Sequence, residues 1–87
     1  MNSDFMEMAN VVMTGSDVEV SIPDGMTAFA LQPRTGTAYL RLSDGASEYW
    51  TMLVNTFHKF ETTTLQEQKI YLRGTVGEVV EMITLKG

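Results

Sequence analysis

From Val18 onward, apolar and polar residues alternate with a period of two, and turn signals interrupt them at strand-like intervals. In "VEVSI" (18–22), Val18, Val20 and Ile22 share one face, with Glu19 and Ser21 opposite. Pro23-Asp24-Gly25 predicts a turn, because proline fixes its own φ and glycine tolerates a left-handed position. "MTAFALQ" (26–32) puts Phe29 and Leu31 on one side and Met26, Ala28 and Ala30 on the other, and "PRTG" supplies a second turn. "TAYLRL" (37–42) sets Ala38, Leu40 and Leu42 against Tyr39 and Arg41, and Asp44-Gly45 is a strong hairpin signal after it.

"EYWTMLV" (48–54) is apolar on both faces, with Tyr49 and Leu53 on one and Trp50, Met52 and Val54 on the other. That predicts a central strand covered on both sides. "KIYLR" (69–73) alternates Ile70 and Leu72 with Tyr71. "EVVEMITL" (78–85) has two readings: Val79, Ile83 and Leu85 share a face with Glu81, and Val80 and Met82 share one with Thr84. We place Ile83 and Leu85 in the core. The segment 55–68 has no long helical pattern, since Phe57 and Phe60 allow one turn only and Thr62–Thr64 favour extended chain.

The fold class expected is all-β: a small antiparallel β-sandwich of about seven short strands, with a jelly-roll-like arrangement or small barrel as runner-up. Residues 18–87 form the domain. Residues 1–17 read either as an N-terminal arm that orders against another subunit, or as an edge strand or frayed end, because Phe5, Met8, Val12 and Met13 lie near helical spacing while "NVVMTG" suits a strand.

Length and charge narrow the function. Eighty-seven residues make one domain with a modest core, so oligomerisation is a plausible source of further stability. The net charge of −5 and the six scattered Lys and Arg argue against nucleic acid and anionic membranes as partners. There is no cysteine, so a disulfide framework and thiolate metal sites are excluded. The N-terminal residues contain no signal-peptide pattern or membrane span, and synthesis in the cytoplasm is the expectation.

No catalytic, cofactor or metal constellation emerges. Gly74-Thr75-Val76-Gly77 has the GxxG form of a backbone-clamping loop, but it lies between two strands and no lysine follows it. It reads as a bend in which both glycines take positive φ. His58 is the only histidine and reads as a surface or loop residue. Asp24 and Asp44 sit in turns, where short carboxylates cap backbone N–H groups. The aromatic residues give two candidate surfaces. Trp50, Met52, Val54, Val80 and Met82, with Tyr71 beside them, form a candidate second apolar face for subunit contact. Tyr39, Trp50 and Tyr71 are the candidate sugar-stacking residues of an alternative, ligand-binding reading.

Three pieces, Pro23-Asp24-Gly25, Gln32-Pro33-Arg34 and Tyr39-Leu40-Arg41, followed by Tyr71-Leu72-Arg73-Gly74 and the run Val79 to Leu85, resemble small β-rich bacteriophage structural proteins over about residues 18–85. Glu81 departs from the uninterrupted apolar closing strand of that pattern. The resemblance implies a non-enzymatic virion component (head decoration, neck or tail-associated), made in the host cytoplasm. It further implies partners among other virion proteins and a cyclic homo-oligomer, with a trimer as one candidate. The alternative is a small carbohydrate- or ligand-binding β-sandwich module.

Overall fold

A computed structural model describes residues 5–61 and 67–86. The elements are β1 (Phe5–Val12), β2 (Val18–Ile22), β3 (Met26–Pro33), β4 (Ala38–Arg41), β5 (Trp50–Met52), β6 (His58–Glu61), β7 (Gln68–Arg73) and β8 (Val79–Lys86), with no helix among the described residues. They form two four-stranded antiparallel sheets, ordered β1-β8-β3-β6 and β2-β7-β4-β5. Strand pairs β1·β8, β2·β7, β3·β6 and β4·β5 are what a single long hairpin makes when it is rolled up on itself. This is jelly-roll order. The all-β class holds, and eight short strands replace the expected seven.

Two of the predicted turns form as read. Gly25 and Gly45 take φ of +84° and +71°, and the Ala46 N–H bonds the Ser43 carbonyl at 3.1 Å. Each sheet turns one face inward. Ile22, Leu40 and Leu72 from one sheet meet Phe29, Leu31 and Val80 from the other, and Met13, Met26, Met52 and Ile70 complete the buried core.

Residues 5–12 are an edge strand, one of the alternatives read for the N-terminus, paired along their whole length with β8. The segment 55–68, read as extended chain and not as a long helix, contributes β6, whose Phe60 stacks on Phe29 at 5.2 Å between ring centroids; Thr62–Thr64 lie outside the described residues. Two expectations change. β5 is an edge strand of three residues and not a central one, because among the described residues β4 alone pairs with it.

The second change is the register of β8. Val80, Met82 and Thr84 lie opposite Pro33, Leu31 and Phe29 of β3, so they point inward. Ile83 and Leu85 therefore face outward, against the sequence reading. The inner face accepts Thr84 at 2% exposure, so the hydropathy of that position misleads.

Candidate functional site

The proposed second apolar face is divided by the structure. Met52 and Val80 are 0% and 1% exposed, so they belong to the monomer core and cannot present a surface. Met52 is buried because it lies opposite Ala38 on the inner side of its sheet. Met82 also points inward and packs against the core. Trp50 shares the inward side with Met52 but sits opposite Leu40 at the open end of the sandwich, where it stays largely exposed. There it lines a cleft between the sheets with Leu42, Phe60 and Ile70. Val54 lies in the turn after β5.

A different surface is apolar. On the outward side of the β1-β8-β3-β6 sheet, two rungs read Met6, Leu85, Ala28 and Met8, Ile83, Ala30 across β1, β8 and β3. Met6 and Met8 are 62% and 79% exposed. A depression of about 280 Å³ on this side is lined by Met8, Ala30, Ile83 and Phe57, the last also largely exposed. The charged side chains of this face, among the described residues, form two ion pairs, Arg34–Glu81 at 2.9 Å and Lys59–Glu61 at 3.5 Å. Arg34 also donates to the Asn10 side chain at 3.3 Å, closing a polar border across β3, β8 and β1. The face is thus formally neutral, and the net −5 of the chain resides elsewhere. Sequence parity could have flagged Met6, Met8, Ile83 and Leu85 only if β1 had been paired with β8.

The other sheet presents a polar, aromatic outward face. Tyr39 and Tyr71 lie here, without Trp50. Tyr39 meets Tyr49 edge-on at 4.9 Å, and the Arg41 guanidinium lies 5.3 Å from the centre of the Tyr49 ring. Arg41 is held from three directions. Its Nη1 donates to the Ala46 carbonyl, its Nε lies 3.6 Å from the shielded Asp17 carboxylate, and its face covers Tyr49. The Asp17 carboxylate also accepts the Gly45 N–H at 2.6 Å, so the capping assigned to Asp44 is performed by Asp17 from a different connection. Nothing local in the sequence links Asp17 to position 45.

At the other side of this face, Tyr71 donates to Glu19 at 3.3 Å, and Lys69 pairs with Glu19 at 3.3 Å. Partial desolvation, then the Glu19 charge and hydrogen bond, push the Tyr71 phenol above its ordinary pKa. The Glu19 hydrogen bond and charge raise Lys69.

The 74–77 motif is the β7–β8 bend. Gly77 takes φ of +87°, as expected, but Gly74 does not adopt positive φ. Gly74 is needed for space: a Cβ there would lie 2.9 Å from the buried Met13 Cγ. His58 is not a surface residue. It lies opposite the buried Leu31, so it points inward, and its Nε2 is shielded with no hydrogen-bond partner among the described residues. No cluster of three or more His, Asp or Glu able to hold a metal occurs among the described residues. No helix there is long and apolar enough to cross a membrane.

No protein-family model and no curated protein matches the chain. Among solved structures, it is similar to the solution NMR structure of a de novo designed double-stranded β-helix, with 22% identity and a TM-score of 0.60. The match covers 94% of this chain and 99% of that one. At that identity the likeness concerns the fold alone, and it agrees with the rolled-hairpin order of the two sheets.

Proposed function

We propose that the chain is a non-enzymatic assembly domain that associates with further copies of itself through the outward face of the β1-β8-β3-β6 sheet. The observation that carries this reading is the apolar surface around Met6, Met8, Phe57, Ile83 and Leu85. Exposed apolar patches of this kind, rimmed by polar residues, mark interaction sites. A second copy is the fitting occupant on charge. Two chains of −5 repel on average, yet this face is internally neutral and lets them meet without opposing like charges.

Size sets the scale of the contact. Three strands of eight residues and one of four, about 4.8 Å apart at about 3.3 Å rise, give a footprint of roughly 440 Å² per partner. Two such faces total roughly 900 Å², just under the roughly 1,000 Å² that separates specific contacts from incidental ones, so the association expected through this face alone is weak. The outer edge of β1, unpaired among the described residues, also offers backbone groups that can extend the pairing. Taken with the resemblance to phage structural proteins, this makes a virion component, joined to its neighbours by such faces, the particular assembly we favour.

Light scattering across a wide concentration range tests the reading, comparing the chain with Met8→Glu. Burying one methionine contributes about 1.5–3 kcal/mol, so two symmetric copies lose about 3–6 kcal/mol, or at least about a hundredfold in dissociation constant. An oligomer that Met8→Glu converts to monomer supports the proposal. A monomer throughout, or an oligomer indifferent to Met8→Glu, sinks it.

A further inference from the structure

The groove on the opposite sheet has no role in that association, and its chemistry is of another kind. It has a volume of about 750 Å³ and runs over the outward side of β4 and β7, bounded by the β1–β2 and β7–β8 turns. Tyr39, Tyr49, Arg73 and Glu78 line it, with the hydroxyls of Thr37 and Thr75. We infer that this groove binds a neutral oligosaccharide.

Three features select that ligand. The Tyr49 ring is held by Tyr39 and Arg41, yet it remains 54% exposed. A fixed, accessible aromatic surface suits the C–H face of a pyranose ring, because it offers large contact area at little cost in side-chain entropy. Around it stand both donors and acceptors. Arg73 is exposed and joins no ion pair among the described residues, and the Glu78 carboxylate rests against Gly36 at the end of the groove. A guanidinium and a carboxylate together match neighbouring hydroxyls, which both donate and accept.

Charge decides between ligand classes. Arg41 is neutralised by Asp17, and Arg73 and Glu78 balance each other, so the groove has no net charge to attract a phosphate or a polyanion. Its open form accommodates a chain of sugar units in place of a single enclosed molecule. Trp50 and Tyr71, expected to stack with Tyr39, are outside this groove.

The test is titration of the isotopically labelled full chain with maltohexaose, cellohexaose and laminarihexaose, with oligogalacturonate as the anionic comparison, followed by amide chemical shifts. At least one neutral hexamer is expected to move signals around Tyr39, Tyr49, Arg73 and Glu78 with an affinity of about millimolar or better. Tyr49→Phe retains binding, whereas Tyr49→Leu weakens it by about tenfold or more, equivalent to about 1.4 kcal/mol. Tyr71→Phe leaves it unchanged. Gly36→Ala, which displaces the flexible end of Glu78, weakens it with an otherwise unaltered spectrum. Absence of shifts with every neutral hexamer overturns the inference. So do preference for the anionic oligomer, or shifts centred on Trp50.

Discussion

Gly74 and Met13 offer a sharp test of how the β7–β8 bend is packed. An alanine Cβ at position 74 meets Met13 Cγ at 2.9 Å and both Cβ and Sδ at 3.5 Å. Met13 cannot swing away into water, because it is 1% exposed. Its backbone is also pinned, donating to the Glu78 carbonyl at 2.7 Å and accepting from the Gly77 N–H at 2.9 Å. Gly74→Ala should therefore cost about 1–3 kcal/mol, the range for overpacking a filled core. Met13→Ala alone should cost about 2–5 kcal/mol as a buried truncation. In the Met13→Ala background the obstruction is gone, and Gly74→Ala should be neutral or stabilise by about 0.4–1 kcal/mol through the unfolded chain. The coupling between the two sites is then about 2 kcal/mol. Urea denaturation of the four proteins measures it. Thermal melts give a second reading, since an unfolding entropy of about 180 cal/mol/K for 87 residues makes each kcal/mol worth about 5 °C. Equal costs for Gly74→Ala in both backgrounds, within about 0.5 kcal/mol, would refute the contact.

Further outcomes follow from the same structure. Gly77→Ala meets nothing within 4 Å, so its cost is backbone alone, about 1–2 kcal/mol by urea midpoint, and insensitive to Met13→Ala. Leu31→Ala, at 0% exposure, should remove about 3–5 kcal/mol from a total of roughly 4–13 kcal/mol, enough to leave a visibly unfolded fraction by circular dichroism. Asp17→Ala strands a shielded Arg41 and frees the Gly45 N–H; a loss of about 3 kcal/mol and faster hydrogen exchange at Gly45 are expected. Tyr71 and Lys69 both have raised pKa values in the folded chain, so the stability they contribute is complete below their unfolded values, near 10.0 and 10.5, and disappears as pH climbs through the folded ones. Urea midpoints should accordingly fall more steeply above pH 10 in the wild type than in Glu19→Gln, and identical slopes would count against the Glu19 contacts.

The sequence made some strands plain and hid others for identifiable reasons. "VEVSI", "TAYLRL" and "KIYLR" alternate cleanly and end at Gly or Pro turns, and all three became strands with the inward faces expected: Val20 and Ile22, Ala38 and Leu40, Ile70 and Leu72. β6 was invisible because "HKFE" is four residues long and its apolar positions show only as Phe60 packed on Phe29. β8 has two half-apolar faces, and only its pairing with Phe29, Leu31 and Pro33 of β3 chooses between them. The association face inherits that difficulty. It consists of side chains from β1, β3 and β8 that are far apart in sequence, and one wrong register sends Ile83 and Leu85 to the wrong side. The groove failed in a related way: Tyr39 and Tyr71 were correctly placed outward, but Tyr49 and Arg73 join Tyr39 only through the β5-β4-β7 order.

The pairing of the first strand with the last also has a practical side. Phe5 lies directly opposite Lys86, so the two ends of the described fold are neighbours about one strand spacing apart. A short peptide could join them into a ring with little rearrangement. Cyclisation would then act mainly on the unfolded chain by removing much of its freedom, and cutting the ring at the exposed 54–56 turn would yield a permuted protein with the same two sheets. In such a permutant β1 and β8 become a covalent hairpin. The longest-range closure in the native chain would become a local one, and folding should accelerate without any new contact.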